Sequence, residues 1–113
     1  MNTECEQKIK QQLADHMILL YMKGSPERPQ CGFSAKAAQV LEACGVEFSF
    51  VDILENPEIR QTLPQLKGWP TFPQLFVHGE LVGGSDILLQ LYQQGKLQSI
   101  LAAETAQQVE EAM

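Results

Sequence analysis

The chain has 113 residues, 44% hydrophobic and 19% charged, which suits one compact domain over 1–113 and leaves nothing over for a second. Eight Lys and Arg against fourteen Asp and Glu give a net charge of −6, which argues against general binding to nucleic-acid phosphates. The longest uninterrupted apolar stretch, residues 17–22, is far short of the roughly 20 residues a membrane span needs.

The start of the chain, Met1-Asn2-Thr3-Glu4-Cys5-Glu6, has two acids and no apolar core, unlike a secretory signal or an Arg-rich transit peptide. Thr3-x-x-Glu6 has the form of a capping box, and Cys5, Ile9 and Leu13 follow at four-residue spacing, predicting a first helix. Residues 17–22 read as a buried strand. Residues 23–30 contain Gly24, Ser25, Pro26 and Pro29 and must be a loop. A second helix is expected over 32–44, with Phe33, Ala37, Val40, Leu41 and Cys44 on its apolar face and Gly45 as its stop. Residues 48–51 form a short strand. Asn56-Pro57 reads as an N-cap followed by proline at the first helical position. Ile59, Leu63 and Leu66 mark one face of that third helix, which Pro64 should kink or shorten. Residues 74–77 and 80–83 flank His78-Gly79, a two-residue hairpin turn. Asp86 is placed to cap a fourth helix, with Ile87, Leu88, Leu91 and Tyr92 on its buried side, and a fifth is expected over 97–103. The stretch 104–113 carries three acids and no base and is expected to fray.

The element order is therefore α-β-α-β-α-β-β-α-α. Strand–helix–strand over 17–51 implies a parallel pair with a right-handed crossover, and the hairpin adds two antiparallel strands. The expected fold is α/β and thioredoxin-like, a four-stranded mixed sheet flanked by helices. That pattern alone carries no function.

Three cysteines are too few, and odd in number, for a closed disulfide framework, which points to a reducing, cytoplasmic setting. Cys31 sits where the loop meets the second helix. A thiol there faces unsatisfied backbone N–H groups and the positive end of the helix dipole, and both favour the thiolate. Lys23, Arg28 and Lys36 against Glu27 also make this stretch locally positive. The plainer reading, a cysteine buried near a turn, explains none of these coincidences. Cys44 lies 13 residues further along the same helix, about 20 Å away, whereas a disulfide needs Cα atoms within about 7 Å. Cys44 therefore reads as structural, and Cys5 falls on the first helix. Dithiol redox proteins carry Cys-x-x-Cys at such a helix start, and here the second position is Ser34. A lone thiol needs an external thiol to complete a redox cycle, or serves as a ligand.

Cys31-Gly32-Phe33-Ser34 is accompanied by Lys23-Gly24-Ser25-Pro26 upstream. Trp69-Pro70-Thr71-Phe72-Pro73-Gln74 and Gly83-Gly84-Ser85-Asp86-Ile87 follow downstream. With these four motifs in order across residues 7–103, the chain resembles the monothiol glutaredoxins of the CGFS type. Its short single-domain form is most similar to the bacterial glutaredoxin 4 group. The resemblance implies a glutathione site and a [2Fe–2S] cluster shared between two protomers, with Cys31 as both reactive thiol and metal ligand. It implies that Lys23 and Arg60 meet the glycine carboxylate of glutathione. It implies a cis peptide before Pro73, so that the backbone of Phe72 pairs with the ligand like an added strand, with Thr71 on the same wall. Ser85 and Asp86 would open the fourth helix. Asp86 either meets the γ-glutamyl ammonium, caps the helix, or does both; Lys23 is either a ligand anchor or an exposed loop lysine.

Ser85 stands where many relatives have cysteine, and Pro64 where the family often has a second basic residue, for which Lys67 is the nearest substitute. A [2Fe–2S] centre usually takes four thiolates. Two protomers would supply two through Cys31, and two glutathione thiols would complete the set. The leading expectation is a homodimeric carrier or assembly factor for iron–sulfur clusters, serving recipient apoproteins. The alternatives are a glutathione-dependent thiol–disulfide oxidoreductase and a module presenting its cluster to a BolA-like partner. The resemblance implies weak classical disulfide reductase activity.

Overall fold

The computed structural model describes residues 3–101. Eight elements follow in order: α1 (Thr3–Asp15), β1 (Ile18–Met22), α2 (Gly32–Ala43), β2 (Ser49–Asp52), α3 (Pro57–Lys67), β3 (Gln74–Val77), β4 (Glu80–Gly83) and α4 (Ser85–Gln93). Residues 97–101 are helical, which matches the described part of the expected fifth helix. The acidic stretch 104–113 lies outside the described residues.

The sheet runs β2-β1-β3-β4. β1 pairs parallel with β2, Leu20 opposite Phe50, and antiparallel with β3, Leu20 opposite Leu75. β3 and β4 pair antiparallel. The hairpin between them turns on His78 (φ 55°) and Gly79 (φ 80°), the left-handed pair a two-residue turn requires.

Every residue of β1 is buried, because helices cover both faces of the sheet. Ile18, Leu20 and Met22 join Leu75 and Val77 against Ala37, Leu41 and Leu88 of α2 and α4, with Leu97 and Leu101 closing the layer. Leu19 and Tyr21 point the other way with Phe76, onto Cys5, Ile9 and Leu13 of α1 and Ile59 and Leu63 of α3. Tyr21 and Phe76 meet edge to face at 5.6 Å. The Tyr21 hydroxyl donates to Gln12 Oε1 at 2.8 Å, and burial holds the phenol well above its ordinary pKa.

Several local expectations are corrected. Phe33 is 61% exposed and lines the cleft, rather than lying on the buried face of α2 with Ser34, Ala37, Val40 and Leu41. Asn56 is the N-cap of α3 and Pro57 its first helical residue, as expected, but the Asn56 side chain makes no capping bond; Nδ2 donates to Asp52 O at 2.8 Å. Asp86 is not the N-cap of α4: Gly84 holds that position in extended conformation, and Asp86 lies inside the first turn. Pro64 does not shorten α3, which continues to Lys67. Proline there removes one N–H, while its own carbonyl still accepts from Gly68 and Trp69.

Candidate functional site

The end of β1 and the starts of α2, β3 and α4 meet at one end of the sheet. The antiparallel register puts Gln74 beside Tyr21, and Gly83 beside Leu75. A cleft of about 530 Å³ opens there. Lys23, Cys31, Arg60, Thr71, Phe72, Ser85 and Asp86 all line it, so the structure brings together every site residue expected from the sequence.

Cys31 is the N-cap of α2, with φ −154° and ψ 137°. Its carbonyl accepts the first helical bond, from Ala35 N–H at 2.9 Å. Its thiol pKa lies below the ordinary value. The backbone N–H of Ser34 is the main cause; partial burial opposes it, and the Phe33 N–H, the Lys23 ammonium and the Ser34 hydroxyl add to it. The orphan amides of a helix start thus do more than nearby charge. Of the three local cations, Lys23 is the one that acts on the thiol; Arg28 and Lys36 do not line the cleft.

Ser34 is more than the place where a second thiol is missing. It is fully buried, and its Oγ accepts from Lys23 N–H at 3.0 Å, tying the end of β1 to the first turn of α2. Gln30 N–H donates to Lys23 O at 2.9 Å, and Gly24 bridges to Pro29. Gly24 has φ 87°, and a Cβ on it would lie 2.5 Å from the Arg28 carbonyl oxygen, so the loop folds back this tightly only on glycine. Lys23 is half-buried and Arg60 exposed on α3. Among the described residues neither forms an ion pair; the pair present is Lys8–Glu58 at 3.7 Å. Lys67 does not join them. Its ammonium lies 6.0 Å from the Phe76 ring centroid, outside the cleft.

The opposite wall is the segment between α3 and β3. The Phe72–Pro73 peptide is cis. Gln74, fully buried at the head of β3, donates from Nε2 to Trp69 O (2.9 Å) and Thr71 O (3.1 Å), which shapes this wall. Gly84 lets α4 approach it: a Cβ there would stand 3.2 Å from Pro73 O. Ser85 is buried at the start of α4, while Asp86 is exposed at the rim.

The buried hydrogen bonds of Ser34 and Gln74, and the place of Phe33, Trp69 and Ile87 in the cleft lining, were not anticipated, although all five lie in the quoted motifs. The one signal for Gln74 was a polar residue heading an otherwise apolar strand. Cys44 and Cys31 are both free thiols. Cys44 packs at the edge of the core, where burial pushes its pKa up. Cys5 is buried in α1.

The glutaredoxin family model matches residues 18–82. Glutaredoxin 4 of Escherichia coli (strain K12) is 59% identical over 106 residues, covering 94% of this chain and 90% of that protein. A probable monothiol glutaredoxin, GrlA of Legionella pneumophila, is 65% identical over 83 residues, covering 74% and 93%. The solution structure of reduced poplar apo GrxS14 superposes with a TM-score of 0.78 at 39% identity, covering 89% of this chain and 93% of that one. With one thiol in the cleft and serine where a second would stand, this chain belongs to the glutaredoxin family, as one of its monothiol members.

Proposed function

We propose that the protein binds a [2Fe–2S] cluster, ligated by Cys31 and glutathione and shared between two protomers, and acts in iron–sulfur cluster assembly, storage or transfer. The observation that carries this reading is the lone thiol of the cleft, held toward its thiolate at a helix start with a buried serine beside it. Thiolate is the form that binds metal. Among the described residues no three His, Cys, Asp or Glu side chains group as a metal site. A cluster taking four thiolates would therefore draw on two chains and on two external thiols.

Glutathione suits the cleft as such a thiol. It carries two carboxylates and one ammonium. Lys23 and Arg60 are cations without ion-pair partners among the described residues, and Asp86 is an exposed acid in the same cleft. Thr71 and Phe72 form the wall along which the peptide would lie, and Ser85 lines the cleft at the start of α4. Cys31 holds one ligand position, and exchangeable glutathione thiols hold the others, which lets a recipient apoprotein compete for the cluster. In a complex with a BolA-like partner, a histidine or cysteine of that partner would complete the cluster's ligands. The setting of this chemistry is reducing and cytoplasmic.

The lowered Cys31 pKa also favours a second reading, glutathione-dependent disulfide exchange. The Cys31 thiolate would attack a glutathionylated protein at the glutathione sulfur, releasing the protein thiolate. A second glutathione would then resolve the Cys31–glutathione disulfide, giving glutathione disulfide.

Anaerobic reconstitution with iron, sulfide and glutathione decides between them. The expected result is a coloured dimer with one [2Fe–2S] and two glutathiones per two chains, lost in Cys31→Ser and kept in Cys44→Ser. Normal cluster in the Cys31 variant would refute the reading.

A further inference from the structure

Lys23 and Arg60 reach the cleft from different elements, one just after β1 and the other from α3. Asp52, the last residue of β2, connects them. Its Oδ1 accepts two backbone N–H groups, from Leu54 at 2.9 Å and from Gly24 at 2.9 Å. The bond to Leu54 is an ordinary local turn. The bond to Gly24 reaches 28 residues back along the chain, and no turn requires it. It fixes the residue next to Lys23.

On its other side Asp52 governs the entry to α3. Its carbonyl accepts from Asn56 Nδ2 at 2.8 Å, which ties down the residue at the N-cap of α3. Asn56 O in turn accepts from Arg60 N–H at 3.1 Å. Asp52 thus bonds the neighbour of Lys23 through its side chain and, through its backbone carbonyl, the residue four before Arg60 at the entry to α3. The sheet supports it, with Met22 opposite Asp52 and Ile53 N–H donating to Met22 O at 2.9 Å. Asp52 does not line the cleft.

We propose that Asp52 is a positioning residue for ligand binding, whose Oδ1 joins the residue after Lys23 to the Leu54 turn that leads into α3, so that Lys23 and Arg60 can meet one carboxylate. The inference rests on glutathione being the ligand. Its working part is an acceptor at a fixed place and not the negative charge, which by itself opposes an anionic ligand.

Calorimetric titration of the apo-protein with glutathione tests this, with thermal unfolding recorded for each variant. Asp52→Ala should weaken binding about tenfold, the scale of a lost charge-assisted hydrogen bond. Asp52→Glu keeps the charge but moves the oxygens by one methylene, and should weaken binding as much. Asp52→Asn keeps Oδ1 in place and should bind as the parent does. Lys23→Ala should cost less in the Asp52→Ala background than alone, because the lysine is already out of position. That coupling is absent if Asp52 only supports the turn. Parental binding by Asp52→Glu, weak binding by Asp52→Asn, or additive effects with Lys23→Ala would each overturn the assignment. If these hold while Lys23→Ala alone still weakens binding, Asp52 is refuted and the glutathione reading stands. Failure of the unmutated protein to bind glutathione refutes both.

Discussion

Replacing Lys23 by alanine separates the two influences on Cys31. Lys23 contributes to the lowered thiol pKa, but the Ser34 backbone N–H leads, and the Phe33 N–H also precedes Lys23. Lys23→Ala should therefore raise the Cys31 pKa while leaving it below that of an ordinary thiol. The effect on glutathione should be larger in proportion. A charge-assisted hydrogen bond contributes about 1.5–3 kcal/mol, or roughly ten- to a hundredfold in affinity. Lys23 is only half-buried, so solvent screening points to the lower end, about tenfold. The fold should survive, because the bonds from Lys23 N–H to Ser34 Oγ and from Gln30 N–H to Lys23 O are made by main-chain atoms that alanine retains. Ultraviolet titration of the thiolate, calorimetry with glutathione and the decay of a reconstituted cluster read the three quantities. Return of the thiol to its ordinary pKa would show that charge, not the helix start, controls it. No change in pKa, affinity or decay would make Lys23 a solvated loop lysine.

Gly24→Ala should destabilise the domain by about 1–3 kcal/mol, because a left-handed backbone and a clash with the Arg28 carbonyl coincide there; chemical denaturation measures it, and parental stability would refute the clash. Disulfide-reductase assays should show turnover well below that of a dithiol glutaredoxin. The loop beside Cys31 is held by the Ser25–Arg28 backbone bonds and the Gly24–Pro29 bridge, and should keep the glutathione sulfur from in-line attack; robust turnover would favour the exchange reading. Cys31 also predicts a pH dependence. Its pKa is lower in the folded chain, so the thiolate stabilises the fold fully above the unfolded thiol pKa, and that contribution is lost as pH falls through the folded value. The stability difference between the protein and Cys31→Ser should narrow in that direction, and a gap that widens on acidification would reverse the sign of the shift.

Local sequence determined most of the elements of this protein. Periodicity placed the strand at β1 and the buried faces of α1 and α3, and His78-Gly79 placed the hairpin, because turn chemistry and apolar spacing act within a few residues. The lone thiol was legible for the same reason: a loop, a helix start and Cys31 are neighbours in the chain. Side-chain capping bonds were not. Asn56 does stand at the N-cap of α3, but its side chain is drawn to the carbonyl of Asp52, and at α4 Gly84 takes the position expected for Asp86, which lets the helix approach Pro73. Phe33 fits an apolar stripe, yet lies exposed at the cleft. Ser34 accepts from the main chain of Lys23, 11 residues back, and Asp52 accepts from a glycine 28 residues away. Such bonds join residues distant in sequence, whose meeting depends on strand order and register, so only the assembled sheet could reveal them.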